Sequence, residues 1–460
     1  MKEKKEGSYG RGEASSSDGP DNAIAHDAVF GEITSEGPNY RSVGWLGTSV
    51  LMMKTQIGLG VLSIPSIFDT LGMVRESCSC GITTWSDFIV GTFKLRHPHV
   101  YGIDDAGELM FGWIGREVLG AAFCLLFTFT SGSAMLSISI ALNALSVHAT
   151  CTAVFVAVAA IIGFGFSSLR TLGRISWLAW IGVISIVVAV LTVTIAVSLQ
   201  DRPAAAPQDA VWKSDFKIVN TPSFTRAIGA ISSLVFSYAG TPAFFSIAAE
   251  MRDPHHYTRS LVLCQSVVTI VYVAVGVVVY YYCGSYVSSP ALGSAGPIVK
   301  KVAYGLALPG LIVSAAVMLH LASKHIFVRI LRGSKHLAAN TLVHWSTWLG
   351  CTFTISLVAY LIASGIPVFN SLISLIGALL GTMISFQPMG CMWLYDNWSK
   401  GRQAPTLGWY LMVAWSCFVI LSGTFLTIAG TYSAIVGIID DYSKSGGSAA
   451  WSCADNSNSI

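Results

Sequence analysis

Repeated apolar runs constrain this chain more than any other feature. Stretches of about 18 or more mostly apolar residues recur along its length, and each matches the hydrocarbon thickness of a bilayer. Of its 460 residues, 53% are hydrophobic and 11% charged, against about 25% charged in ordinary soluble domains. The fold class read from this is an all-α polytopic membrane protein. A net charge of +3, spread through short connections, makes no basic patch for a nucleic acid.

About 11 spanning segments are expected, over 43–73, 79–93, 117–147, 151–168, 174–199, 226–250, 260–283, 298–331, 342–364, 367–395 and 408–438. Lysine and arginine favour the connections on the N-terminal side, which places the N-terminus in the cytosol and the C-terminus outside. Residues 1–40 are charged and Ser/Gly-rich without an apolar core. They read as a disordered cytosolic tail rather than a signal peptide. Residues 41–438 form the transmembrane domain, and 439–460 a flexible tail.

The second segment reads as too short. Between Cys80 and Lys94 lie 13 residues, Gly81 to Phe93, with Asp87 among them. At ~1.5 Å per residue they reach roughly 20 Å, against ~30 Å of hydrocarbon. Arg75 and Glu76 block extension upstream. The 10 cysteines, Cys78 and Cys80 included, show no metal-ligand spacing and read as structural or incidental.

Two segments are broken. Lys54-Thr55-Gln56-Ile57-Gly58-Leu59-Gly60 interrupts the first, and Tyr238-Ala239-Gly240-Thr241-Pro242 the sixth. Glycine weakens a helix by roughly 1 kcal/mol and proline by roughly 3. In a bilayer the freed N–H and C=O groups have no water to bond, so such breaks persist where they line a cavity or hold a ligand. Half-helix N-termini attract a carboxylate and unwound carbonyls an ammonium, which together suit a zwitterionic amino acid. The candidate substrate site is Thr55, Gln56, Ile57, Gly58, Gly60, Tyr238, Ala239, Gly240 and Thr241.

Lys54 is singled out as an ion-coupling residue. It lies about nine residues inside Trp45, near the midplane, where a lysine costs about 2.5–3.5 kcal/mol. The functional reading is a fixed cation or titrating group in place of a bound ion; the bland one is a lysine that snorkels or faces a water-filled vestibule. Glu250, Arg252 and Asp253 follow the sixth segment and read either as interface anchors or as an inner gate. Asp104 is expected to cap a short surface helix through Met110, with the acids there able to meet basic inner loops. No catalytic constellation and no metal site emerge, so the chain is not read as an enzyme.

The first break, with its flanks Met52-Met53 and Val61-Leu62-Ser63-Ile64-Pro65, resembles the first-helix signature of the amino acid/auxin permease family. Phe236-Ser237-Tyr238-Ala239-Gly240-Thr241-Pro242 and Glu250-Met251-Arg252-Asp253-Pro254 look like its sixth helix. Gly102-Ile103-Asp104-Asp105-Ala106-Gly107 and Phe386-Gln387-Pro388-Met389-Gly390-Cys391-Met392-Trp393 are similar to its fungal branch, which includes the neutral amino acid permease of the N system. The resemblance implies a LeuT-like five-plus-five inverted repeat with one extra helix. It also implies proton-coupled import of neutral and aromatic L-amino acids across the plasma membrane by a monomer, without a cofactor. Lys54 stands where the wider superfamily can hold sodium, which favours the proton as coupling ion. Family members carry a longer apolar stretch ahead of Gly81. Two alternatives remain open: export of amino acids from a vacuole, and a non-transporting amino acid sensor.

Overall fold

The computed structural model describes residues 25–27, 29, 31–33, 40–73, 77–203, 206, 212–366, 369–444 and 451–457. It is nearly all helical. In chain order the helices are α1 (Trp45–Gln56), α2 (Gly60–Leu71), α3 (Ser77–Arg96), α4 (Ile103–Ser146), α5 (Thr152–Ser167), α6 (Leu172–Leu199), α7 (Phe224–Ser237) and α8 (Thr241–Ala249). They continue as α9 (Tyr257–Cys283), α10 (Pro297–Leu331), α11 (Leu342–Gly365), α12 (Phe369–Ile376), α13 (Thr382–Ser385), α14 (Gln387–Gln403) and α15 (Leu407–Lys444). Among the described residues 8 helical spans are long and apolar enough to cross a membrane, or 9 if the bent pair α1 and α2 counts as one. α3 and α5 stand outside that set; α5 has only 16 residues, and α3 carries Asp87, Lys94 and Arg96 among its 20.

The second segment forms a helix longer than its apolar stretch, and it is not among the helices apolar enough to cross a membrane. α3 has 20 residues, which at ~1.5 Å each reach about 30 Å. It continues past Lys94 because that ammonium turns back onto the carbonyls of Pro98, at 3.0 Å, and Val100. Arg75 and Glu76 lie outside the described residues, as do the side chains of Cys78 and Cys80.

α4 opens with a short surface helix that turns into the long span at Gly112, whose φ of 68° favours glycine. Asp104 does not cap it. The N-cap is Gly102, without a side-chain bond, and Asp105 Oδ2 instead accepts from the Tyr101 N–H at 2.7 Å. Pro309 interrupts the α10 ladder, and Ser185 of α6 repairs it. The Ser185 hydroxyl accepts from Gly310 N–H at 3.1 Å and donates to Leu306 O at 2.5 Å, as buried backbone in lipid requires.

Of the N-terminal tail, most lies outside the described residues. A ribbon of β1 (Ala25–Asp27) and β2 (Gly31–Ile33) pairs antiparallel with Ala25 opposite Ile33. Val29 is buried with Tyr40, Tyr101, Phe327 and Trp348. The other tail, expected to be flexible, is held over residues 451–457. Cys453 is disulfide-bonded to Cys151, Asn456 bonds Asn143 at 2.7 Å and Ser139 at 3.0 Å, and Thr152 donates to Ala454 O at 2.7 Å.

Candidate functional site

Both breaks form where the glycines stand. α1 ends at Gln56, Ile57 is extended (φ −72°, ψ 90°) and α2 restarts at Gly60, its axis bent by 48°. Tyr238, Ala239 and Gly240 separate α7 from α8, which starts at Thr241 with Pro242 in its first turn. The two breaks lie against each other. Ser237 Oγ is 3.3 Å from both Gly60 O and Ser63 Oγ. The Tyr272 hydroxyl of α9 sits 2.8 Å from both Gln56 O and Ser237 O.

Close approach explains two of the glycines. A Cβ on Gly60 would come within 2.8 Å of Ser237 Cα, and one on Gly240 within 2.4 Å of Thr55 Oγ1. The structure thus brings Thr55 to Gly60 and Tyr238 to Thr241 into one place. Ile57, Tyr238, Ala239 and Thr241 are buried there, and the Tyr238 and Tyr272 rings meet edge-on with centroids 5.1 Å apart. Thr55 spends its hydroxyl on Met52 O at 2.8 Å. Gln56 differs: it is 1% exposed, yet neither its amide nitrogen nor its amide oxygen has a partner. A buried amide left so costs roughly 1–3 kcal/mol.

Lys54 is fully buried. Its stem passes Gly182 of α6, where a Cβ would come within 2.9 Å of its Cε. Its ammonium donates to Ile57 O at 3.2 Å, and among the described residues no carboxylate pairs with it. Gly58 places the ammonium beside α10: a Cβ there would meet Ser314 Oγ at 2.7 Å and Lys54 Nζ at 3.5 Å. The lysine therefore joins the first break to the face of α6.

One face of the bundle is closed by charge. Glu250, completely buried, pairs with Lys324 of α10 and accepts from the Leu172 N–H at 3.1 Å. Lys324 also lies over the Tyr40 ring, 4.6 Å from its centroid. Nearby, Asp105 accepts from Arg332 at 2.6 Å, His325 Nδ1 is 3.7 Å from Asp104, and Arg96 and His97 meet Asp396 of α14 at 3.0 and 2.9 Å. Of the three gate candidates, Glu250 alone enters this seal by its side chain. Arg252 takes part through its backbone, donating to Val43 O at 2.9 Å, while Asp253 caps its own turn at His255 N–H, 3.0 Å away. Sequence reasoning missed Lys324 as the partner of Glu250, although the basic end of α10 is written in the sequence.

The opposite face is open. A cavity of about 570 Å³ lies between the ends of α2, α7 and α15, lined by Ser66, Asp69, Arg226, Ser233, Ser374 and Asp440 among others. The Cys151–Cys453 bond lies on this side. None of the residues lining the cavity belongs to the breaks, which lie between it and the ionic seal.

Comparison with known proteins identifies the fold and the family. Two solved structures share the fold at 13% identity. One is a Na+-coupled sialic acid symporter in a substrate-bound outward-open state, with a TM-score of 0.55 over 87% of this chain and 92% of that one. The other is a nucleobase-cation-symport-1 family transporter in a closed conformation, with 0.56 over 93% and 99%. Both are LeuT-fold transporters. A protein of Gibberella moniliformis described as a transmembrane transporter is 35% identical over 92% of this chain and 90% of its own. The N amino acid transport system protein of Neurospora crassa is 33% identical over 90% and 89%. The model of the family described as transmembrane amino acid transporter protein matches residues 41–436, and the chain belongs to that family of membrane carriers.

Proposed function

We propose that the protein imports neutral and aromatic L-amino acids across the plasma membrane together with protons, by alternating access. The observation that carries this is the unpartnered Gln56 amide at the meeting of two broken helices. The N-terminus of α8 attracts the substrate carboxylate, and carbonyls freed at the first break take its ammonium. Gly58 and Gly240 flank the bound backbone, and Tyr238 lines the side-chain space. Lys54 stands in the place of a bound cation, so sodium is not needed and the proton is the coupling ion.

In this reading α3 and α5 also span, giving eleven segments and a five-plus-five repeat with α15 as the extra helix. The disulfide side faces outward, since disulfides persist in oxidising compartments. The N-terminus is then cytosolic, and Glu250, Arg252 and Asp253 belong to the inner gate with Lys324. The carrier works as a monomer. Uptake of labelled phenylalanine and alanine by cells making the protein tests this, at acidic and near-neutral external pH, with and without a protonophore. Concentrative uptake that the protonophore abolishes is the expected result; binding without uptake would make the protein a sensor, and accumulation in isolated vacuoles would place it elsewhere.

A further inference from the structure

α3 carries a single acid at its middle. Asp87 is fully buried, about 15 Å from either helix end, where an ionisable side chain is costly and normally functional. Its Oδ2 accepts from Gln265 Nε2 of α9 at 2.5 Å, and the Thr241 side chain of α8 lies close enough to interact with the carboxylate, while the Gln265 amide oxygen has no partner. Among the described residues Asp87 enters no ion pair. The titratable groups facing it are the Tyr257 hydroxyl and the Cys264 thiol of α9, the former donating to the Asp87 backbone carbonyl at 2.8 Å. α14 meets α3 with charge only at its far end, through Asp396. From α8 the neighbour is Thr241, the first residue of the half-helix.

That last contact decides what the acid can do. The N-terminus of α8 is the positive end that a substrate carboxylate needs. An ionised Asp87 beside Thr241 already places a negative charge there, and two carboxylates sharing one dry site cannot both stay ionised at low cost. We propose that Asp87 is the proton-binding site of the transport cycle. It takes a proton on Oδ1 as the amino acid carboxylate docks at α8 and releases it when the amino acid leaves. One O–H bond forms and later breaks, and the proton travels with the substrate. Coupling of this kind is reciprocal: protonation strengthens amino acid binding and amino acid binding strengthens protonation by the same factor. Lys54 lies at the first break and Asp87 beside the second, so the cation and the proton-binding acid sit at different breaks.

This rests on the transport reading above, and one experiment separates the two. Full-length purified protein is titrated with labelled phenylalanine across mildly acidic to mildly alkaline pH, and proton uptake on phenylalanine addition is followed with an indicator dye in weak buffer. For the wild type the expected result is about one proton taken up per phenylalanine on the alkaline side. Affinity there should fall about tenfold per pH unit. Asp87→Asn should bind with a single affinity across the range, take up no proton, and fail to accumulate phenylalanine in vesicles under a pH gradient. Asp87→Glu should restore the pH dependence. Unchanged pH dependence in Asp87→Asn overturns the proposal, and so does wild-type binding without proton uptake, which decides the matter even if the Asn variant is not recovered folded. A wild type that binds neither phenylalanine nor alanine overturns the transport reading itself, and this proposal with it.

Discussion

Lys54 donates from its ammonium to the carbonyl of Ile57, 3.2 Å away, so a carbonyl freed by the first break is satisfied by a cation from the same turn. Lys54→Met should leave that carbonyl unpaired, at a cost of about 1–3 kcal/mol, and remove the cation held at the break. Uptake is expected to fall to background while the pH dependence of phenylalanine binding survives. Lys54→Arg should also transport poorly, because the wider guanidinium must pass Gly182, where the lysine stem already runs close. Vesicle uptake beside equilibrium binding checks both.

The glycines should not be equivalent. A methyl on Gly60 meets the backbone of α7, Ser237 Cα and O at 2.8 and 2.9 Å, whereas one on Gly58 meets the Ser314 hydroxyl, which can rotate away. Gly60→Ala is expected to lower thermal stability and membrane abundance, overpacking costing about 1–3 kcal/mol. Gly58→Ala should be made normally and lose affinity. Detergent melting curves and binding in parallel measure the difference, and equal melting temperatures would refute it.

Breaking the seal between Glu250 and Lys324 should be costly in single variants. Glu250→Gln strands a buried ammonium and Lys324→Met a buried carboxylate, each about 3–5 kcal/mol. The double variant removes both charges and should recover much of the abundance that either single variant loses. It should also lose its bias toward the open cavity, read as greater labelling of an engineered cysteine on the gate side.

How much of this was legible in the chain depends on distance along it. Gly58, Gly60, Gly240 and Pro242 punctuate apolar runs, so both breaks can be located from the residues alone. Lys324 is 74 positions from Glu250, and a pairing between helices leaves no local mark. Asp87 reads in sequence as a flaw in a short segment; only the neighbours Gln265 and Thr241 turn it into a site. The Ser/Gly-rich composition of the C-terminal tail is that of a flexible segment, and nothing near Cys453 announces a partner 302 residues earlier. Local punctuation is visible in sequence, and long-range pairing is not.

That pairing makes a prediction about sidedness. A membrane-impermeant reductant applied to intact cells should free Cys453 for labelling by an impermeant maleimide, and Cys453→Ser should leave Cys151 labelled without reduction. Release of residues 451–457 should also expose Asn143, whose amide the tail occupies, and lower thermal stability. Labelling only after permeabilisation would put this face in the cytosol.

The seal has one component that no side-chain substitution reaches. Val43 donates to Glu250 O at 3.2 Å and accepts from Arg252 N–H at 2.9 Å, a parallel bridge between the approach to α1 and the end of α8. Two main-chain bonds tie the lower halves of both broken helices into one mechanical unit. With α1 about 18 Å long, a small tilt at the Gly58 hinge swings this joined end by several ångströms, and α8 must follow. The bends lie at the proposed substrate site and the tied ends at the ionic seal, so the pair is expected to move as a double lever. Gate variants therefore change how often the lever swings rather than which half-helix swings first.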